Sequence, residues 1–217
     1  MKFTPSTIQL LKNFAAINPS IIFKEGDTLS TLSQSKSVLA KAKLDTTIVK
    51  QFAIYDLSRF LSTLALFSDP VIEINDTNMT IKQGTRKINY VFADPSLIIA
   101  PPEKDLKLPA PEIKFTLNET DFADLMKAQS VLSLPEISIT GDGETITIGC
   151  VDSKKGGDSY STAVGKTTDT FRMLILAENI RILPGNYEVE VTSKGLSKFT
   201  GAQAEYWIAV ESNSTFG

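Results

Sequence analysis

Hydrophobic and polar positions along the chain follow a pattern that occurs more than once. The segment 56–84 reads DLSRFLSTLALFSDPVIEINDTNMTIKQG, and the segment 121–149 reads DFADLMKAQSVLSLPEISITGDGETITIG, at a constant offset of 65 residues. Matching apolar positions include Phe60 with Leu125 and Leu66 with Val131. Self-similarity at a fixed spacing indicates a supersecondary unit that is used repeatedly.

Each copy changes its period at a proline. Before Pro70 and Pro135 the apolar residues recur at i, i+3, i+4 and i+7, which predicts an amphipathic helix. After the proline the apolar and polar residues alternate and then meet turn residues, which predicts a β-hairpin. Because a proline pushes the preceding residue out of the α region, it stands where a helix is expected to end.

Two further copies surround Pro19 and Pro184, so that the four prolines lie 51, 65 and 49 residues apart. The spacing predicts a duplicated α+β domain, each half holding two helices packed on antiparallel strands. We place the first domain at 1–94 and the second at 112–217. Between them, five prolines in the segment from 93 to 113 predict a stiff, extended connector at 95–111.

Composition narrows the range of functions. The chain has 217 residues, of which 42% are hydrophobic and 22% charged, as in a globular protein. No apolar run reaches the ~20 residues that span a bilayer, and the first residues do not resemble a leader, so we expect a cytoplasmic protein without membrane contact. One cysteine and no histidine exclude the usual metal and acid–base constellations. We therefore expect no catalysis, metal or cofactor.

Two local motifs do not change this expectation. The sequence from 163 to 168, AVGKTT, resembles the end of a phosphate-binding loop, but Tyr160 stands where the first glycine of that motif belongs. Cys150 lies in the apolar run ITIGCV, which favours a small buried hydrophobe over a nucleophile.

Basic residues mark one face of the predicted helices. Their positions relative to the four prolines fall within an arc of about 140°, and we propose as DNA-facing residues Lys12, Arg59, Lys127 and Arg181. The alternative is that long basic side chains simply occupy solvated faces. Asp56 and Asp121 share the arc but stand near helix starts, where a carboxylate caps free N–H groups. Asp124 has no such explanation.

The chain resembles the sliding clamps of T-even-type bacteriophages. The resemblance rests on the segments STIQLLKNFAAINPSIIFKEG and FAIYDLSRFLSTLALF, on ADPS ahead of the connector and on LPGNYEVEV near the end. It covers essentially the whole chain, with departures before Phe171 and in the C-terminal ESNSTFG.

The resemblance implies a homotrimeric ring with the DNA clamp fold, in which helices line a central hole around duplex DNA. It implies an ATP-driven clamp loader and a DNA polymerase whose C-terminal peptide binds an apolar groove bordered by Leu97, Ile98 and Ile99. It also implies a tether for RNA polymerase in late transcription, through phage-coded factors, in the cytoplasm of the infected host.

Ring closure is expected through edge-strand pairing between the first domain of one subunit and the second domain of the next, because an exposed edge otherwise invites aggregation. The candidate edges are the segments 86–92, RKINYVF, and 159–165, SYSTAVG. The competing interpretation is a structural ring or tail-tube protein built from duplicated domains, which needs no basic helix face.

Overall fold

The computed structural model describes residues 1–103, 106 and 108–217. These residues form two compact units, Met1–Glu103 and Lys104–Gly217. The predicted connector, 95–111, crosses this boundary and includes three residues outside the described part. The proposed domain limits and the connector therefore stay predictions.

The first unit alternates helices with short antiparallel strands. Its α-helices and strands in chain order are α1 Pro5–Ile17, β1 Ile21–Phe23, β2 Gly26–Leu32, β3 Val38–Ile48, β4 Phe52–Ile54, α2 Leu57–Leu64, β5 Val71–Ile74, β6 Asn78–Gln83 and β7 Arg86–Val91. Within this unit β1 pairs with β4, β2 pairs with β3, and β5, β6 and β7 form a three-stranded sheet with β6 in the middle.

Both helices of the first unit begin at capping residues. The Thr4 hydroxyl accepts a hydrogen bond from the Thr7 backbone N–H, and Pro5 occupies the first helical turn of α1. The Asp56 carboxylate accepts from the Arg59 backbone N–H at the start of α2. Each contact satisfies a donor that the helix leaves without an intrahelical partner. The predicted capping role of Asp56 is thus confirmed.

The second unit holds one α-helix and nine strands among its described residues. In chain order they are β8 Ile113–Leu117, α3 Glu119–Leu132, β9 Glu136–Asp142, β10 Thr145–Val151, β11 Tyr160–Lys166, β12 Thr170–Leu176, β13 Tyr187–Thr192, β14 Leu196–Thr200, β15 Ala204–Ala209 and β16 Thr215–Phe216. The ladders run β11-β10-β9-β12-β16 and β15-β14-β13-β8, and every pair is antiparallel.

The predicted helix-proline-hairpin unit is complete in the second and third copies. Pro70 directly precedes β5, which pairs with β6, and Pro135 directly precedes β9, which pairs with β10. In the first copy the helix forms, but β1 pairs with β4 instead of β2. In the fourth copy the hairpin β13-β14 forms.

The prediction of an α-helix before Pro184 is wrong. The first apolar residues of this copy, Ile175 and Leu176, belong to β12, which pairs with β9. Only one turn of 3-10 helix follows, Ala177–Asn179. Irregular chain follows, in which Ile180 and Ile182 are buried and Arg181 is exposed. The expectation of two helices per domain therefore holds for the first unit alone.

Each unit has its own apolar core. Fully buried aromatic residues fill the first unit, and a run of stacked rings joins Phe3, Phe23, Phe52 and Phe92. In the second unit the buried residues come from both ladders and from the inner face of α3, where Phe122 and Leu125 point inward. The helices thus bury one face and leave the other to solvent.

Candidate nucleic-acid and subunit-contact surfaces

Lys12 lies on the solvent side of α1. It shares an exposed stripe with Gln9 and Ala16, at the three- and four-residue spacing of one helix face, while Leu11 and Phe14 are fully buried behind it. The helix sequence PSTIQLLKNFAAI contains no carboxylate. The exposed face of α1 is therefore positive at mid-helix, as the sequence predicts.

Lys127 lies on the exposed side of α3 in the second unit. Asn118 caps this helix by accepting from the Asp121 backbone N–H at 2.8 Å, and Glu119 and Asp121 stand in the first turn. Carboxylates there interact favourably with the positive end of the helix dipole. The interpretation of Asp121 as a residue of the helix start is confirmed, whereas Asp124 lies one turn further on.

Arg59 is exposed and lines a pocket, and whether it faces DNA stays a prediction. The pocket has a volume of about 460 Å³ and lies between α2 and β7, with Arg59, Tyr55, Leu66, Tyr90 and Val91 among its lining residues. The Tyr90 ring packs edge-on against Phe60 with centroids 5.3 Å apart. Burial raises the pKa of Tyr90, and Arg59 opposes this shift while Asp56 adds to it.

Arg181 lies outside any helix, so its assignment to a helix face is wrong. It follows the 3-10 turn Ala177–Asn179 in irregular chain, where its backbone N–H donates to the Asn179 backbone oxygen at 2.9 Å. Its side chain is exposed, and its Nε donates to the Glu178 backbone oxygen at 2.8 Å. Whether Arg181 faces DNA stays a prediction.

Of the three connector residues assigned to the peptide groove, one is buried. Ile98 is 8% exposed, while Leu97 and Ile99 are 67% and 41% exposed. A 3-10 turn, Pro95–Leu97, precedes Ile98 and is capped by Asp94, whose carboxylate accepts from the Ser96 backbone N–H. Ile98 thus anchors the segment while its two neighbours stay accessible, and a peptide groove at this place stays a prediction.

Both candidate edge segments contain strands at the ends of their sheets. β7 ends the sheet β5-β6-β7, and β11 ends the ladder β11-β10-β9-β12-β16. A strand in this position leaves one row of backbone N–H and C=O groups available for another chain. Their pairing between subunits stays a prediction.

Sequence reasoning missed the exposure of two matched apolar positions. Leu66 and Val131, which the repeat aligns, are 62% and 75% exposed, and Leu66 lines the pocket beside β7. Their sequence offers no signal of this exposure, because single apolar residues are common on protein surfaces as well as in cores.

The GKTT segment begins at the end of a strand, and Cys150 lies within a strand. Gly165 and Lys166 end strand β11, so the GKTT segment is not the strand-to-helix loop that holds a phosphate. Cys150 is fully buried in β10, and burial raises the pKa of its thiol. Among the described residues no helix is long and apolar enough to cross a membrane.

The architecture of the two units is that of the DNA clamps. A. fulgidus PCNA, solved with the C-terminal region of FEN-1 bound, superimposes with a TM-score of 0.72 over 99% of this chain and 98% of that chain, at 15% identity. This likeness confirms the predicted α+β clamp fold.

Sequence comparisons give the family. The family described as "DNA polymerase processivity factor" matches residues 3–100, and "gp45 sliding clamp, C terminal" matches residues 114–212. The sliding clamps of Enterobacteria phage T4 and Escherichia phage RB69 are each 32% identical, over 99% of this chain and 99% of their own. The chain belongs to the bacteriophage sliding clamps, the non-enzymatic processivity factors of DNA polymerase. The comparisons thus confirm the predicted clamp and not the alternative of a structural tube protein.

Proposed function

We propose that this chain forms a homotrimeric ring that encircles duplex DNA and tethers the phage replicative polymerase. The observation that carries the proposal is the equivalent placement of Lys12 and Lys127. Each follows an apolar residue, the buried Leu11 or the half-buried Met126, in the middle of its helix, and each is exposed. The helices α1 and α3, which belong to different units, therefore each present a lysine at an equivalent position of the helix.

A small number of such cations suits a ring that must slide. Each phosphate that a lysine neutralises strengthens DNA binding and increases its dependence on salt. The chain carries a net charge of −3, so bulk electrostatic attraction does not hold it on DNA. A closed ring needs no such attraction, because topological linkage keeps it in place while weak, sequence-independent contacts let it move.

The proposed partners follow from family membership and from the accessible connector residues. They are the C-terminal peptide of the DNA polymerase, an ATP-driven clamp loader, and RNA polymerase through late-transcription factors, in the cytoplasm of the infected bacterium. Leu97 and Ile99 are exposed beside the anchored Ile98, which offers a peptide two apolar contacts. The FEN-1 segment on A. fulgidus PCNA shows that a clamp of this fold takes a C-terminal partner region.

The first test reverses the two matched charges. We expect Lys12→Glu with Lys127→Glu to leave the protein folded and trimeric but to reduce polymerase processivity about tenfold or more, because each replaced cation repels phosphate. Primer extension on singly primed circular DNA, with the clamp loader present, measures the product length.

The matched control carries Lys24→Glu with Lys154→Glu, which changes the net charge equally at exposed loop positions. We expect it to keep wild-type processivity. Unchanged processivity in the Lys12 and Lys127 variant would overturn the assignment of these lysines to DNA. Wild-type protein that fails to lengthen the products would overturn the proposed function itself.

A further inference from the structure

The segment 211–217 covers one edge of the five-stranded sheet in the second unit. Its strand β16 pairs in antiparallel fashion with Phe171 and Arg172 of β12, and the Gly217 backbone N–H donates to the Thr170 backbone oxygen at 2.9 Å. The sequence ESNSTFG departs here from the phage clamps that the chain resembles. Neither the ring nor the contact with DNA gives this segment a role.

The start of the segment is held at the same edge. The Glu211 backbone N–H donates to the Leu174 backbone oxygen at 2.8 Å, and the Leu174 backbone N–H donates to the Ser214 Oγ at 2.9 Å. Between these contacts the Ser214 backbone N–H donates to the Glu211 backbone oxygen at 3.1 Å and closes a turn. Both backbone groups that Leu174 turns away from β9 thus find partners in the segment.

Phe216 is held on an aromatic platform. Its ring stacks on Phe171, with centroids 6.0 Å apart and 7° between the ring planes. Phe171 stands opposite Gly141 in β9, and a Cβ added at Gly141 would lie 2.4 Å from the Phe171 Cε1. Glycine at this position therefore lets the Phe171 ring lie over β9, where the ring is buried and meets an aromatic residue of the added strand.

The segment is nevertheless held lightly. β16 has two residues, residues 215–217 are all exposed, and Phe216 keeps 37% of its surface accessible. Few buried apolar contacts are typical of a part that opens locally at small cost. When it opens, β12 presents a row of unpaired N–H and C=O groups beside Phe171, and an extended peptide can add to such an edge as a strand.

The first unit uses its equivalent edge for the start of the connector. β4 pairs with β1 in the first unit as β12 pairs with β9 in the second. The Ala93 backbone N–H donates to the Ala53 oxygen of β4 at 2.9 Å, as Glu211 donates to Leu174 of β12. In the first unit the chain continues into the connector, where a partner peptide is expected. In the second unit the segment 211–217 takes the equivalent place.

Arg172 indicates which residue a stronger occupant would carry. It is exposed and stands opposite Thr215 in the register of β12 and β16. Among the described residues its guanidinium is paired with no carboxylate. An acidic residue in place of Thr215 would meet the guanidinium across the two strands, and opposite charges in this position favour pairing. The segment of the chain itself leaves this contact unused.

We propose that the edge of β12 binds an extended peptide of a partner protein in which an acidic residue precedes an aromatic one, and that the segment 211–217 occupies this site until the peptide displaces it. The peptide adds to β12 as a strand, places its aromatic ring on Phe171 and its carboxylate beside Arg172. The site lies within the second unit, so it stands whether or not the ring closes as proposed.

Competition with the segment sets a threshold for binding. The segment is joined to β15 through Val210 alone, so it competes at an effective concentration in the millimolar range. A peptide occupies the edge only when it binds more strongly than the segment that it replaces. Weak, incidental strands are therefore kept off an edge that would otherwise invite aggregation.

The binding test uses full-length Phe216→Ala, which removes the ring that holds the segment on Phe171. Fluorescence anisotropy measures the binding of labelled ESNSEFG, ESNSTFG and ESNSEAG. We expect ESNSEFG to bind this variant about tenfold or more tightly than it binds wild type, because the competing segment is weakened. ESNSTFG should bind about two- to fivefold more weakly than ESNSEFG, since it lacks the carboxylate, and ESNSEAG should not bind measurably.

Two further variants act as controls. Arg172→Gln combined with Phe216→Ala should abolish the preference for ESNSEFG over ESNSTFG, because the cation is gone. Val49→Ala removes an apolar side chain that is 74% exposed in the first unit and should bind the peptides as wild type does. Equal binding of ESNSEFG and ESNSEAG, or a preference that survives the loss of Arg172, would overturn the proposed recognition.

Hydrogen exchange establishes whether the segment opens. In Phe216→Ala we expect faster exchange at the Leu174 amide, which Ser214 covers, and unchanged exchange at Met173 and Ile175, whose amides alternate toward β9. Adding ESNSEFG should slow the Leu174 amide again. A Leu174 amide that stays protected, or one that opens without any peptide binding, would overturn the displaceable site. Wild-type processivity of the same variants would then leave the clamp function standing.

Discussion

At the scale of single residues, two buried tyrosines hold the segment that takes the place of the expected fourth helix. The Tyr187 hydroxyl donates to the Leu183 backbone oxygen, and the Leu183 backbone N–H donates to the Tyr206 hydroxyl at 3.3 Å. Both backbone polar groups of Leu183 thereby gain partners in irregular chain, where no helix or strand ladder satisfies them. Burial is the main cause that raises the pKa of Tyr206 to about 12, and it raises that of Tyr187 further.

These tyrosines make the folded state sensitive to alkali. Above pH ~10 the unfolded chain loses the phenolic protons while the folded chain keeps them, so the free energy of unfolding falls as pH rises. The Tyr206 contribution is fully present below pH ~10 and is lost as pH rises toward the folded pKa of about 12. At about 1.4 kcal/mol per unit, it amounts to roughly 2–3 kcal/mol.

We expect Tyr206→Phe to reduce the loss of unfolding free energy between pH 9 and pH 11 relative to wild type, because one of the titrating groups is gone. At pH 7 the variant should be less stable by about 1–2 kcal/mol, since the buried Leu183 N–H loses its acceptor. Urea unfolding at the three pH values measures both effects. An alkaline slope as steep as that of wild type would contradict the prediction.

At the scale of elements, the free strand β11 approaches its neighbour closely at one glycine. A Cβ added at Gly149 in β10 would lie 2.3 Å from the Tyr160 backbone oxygen and 3.2 Å from the Ser161 Cα. Since both are backbone atoms of β11, no side-chain rotation relieves the contact. Gly149 therefore determines how closely the edge strand lies against its sheet.

We expect Gly149→Ala to push β11 away from β10 and to destabilise the second unit by about 1–3 kcal/mol. Hydrogen exchange should quicken at the amides that join these two strands and stay unchanged in the β13-β14 ladder. Gly165→Ala is the control, because its Cβ would meet neighbours at the ordinary distances of 3.4 to 3.7 Å. Equal stability of the two variants would show that the β11 backbone moves freely.

The sequence predicts the elements well where local pattern and packing agree. The 3.6-residue period gives α1, α2 and α3, because each helix buries one stripe and is capped at its start. Such local patterns do not predict which distant strands pair with each other. Nothing local to Ile21 indicates a partner at Ile54, and the apolar run of β12 suits a buried strand as well as a helix.

The surface positions were predicted less completely for a related physical reason. Helical phase places Lys12 and Lys127 on exposed faces correctly, because each lies off the buried apolar stripe of its own helix. It does not place Arg59 at the β7 pocket, because the pocket is made by a strand that follows it in the chain by 27 to 32 residues. Likewise an apolar letter at Leu66 or Val131 does not reveal whether the side chain lies inside or at a contact.

At the scale of the whole molecule, the proposed ring separates retention on DNA from affinity for DNA. Three copies of a 23.7 kDa chain give a ring of about 71 kDa. Each copy carries a net charge of −3, so the phosphates of DNA repel the ring as a whole. Attraction between lysines and phosphates weakens as the salt concentration rises. Topological linkage does not.

We expect the loaded protein to remain on nicked circular DNA when salt is raised to about 200 mM, where contacts to phosphate are strongly weakened. After the circle is cut by a restriction enzyme, the protein should leave from the ends. Gel filtration of labelled protein with the DNA, before and after cutting, measures retention. Equal loss from circular and linear DNA would contradict encirclement.

The buried thiol of Cys150 would contribute little background when a second, exposed cysteine is labelled. It is the one cysteine in the sequence and is fully covered by β10 and its neighbours. Burial raises the pKa of the thiol, so little of the reactive thiolate forms at neutral pH. A cysteine introduced at an exposed position such as Leu66 or Val131 can then be coupled to a dye selectively in the folded chain, and the distance between two dyes would follow the opening and closing of the assembly in real time.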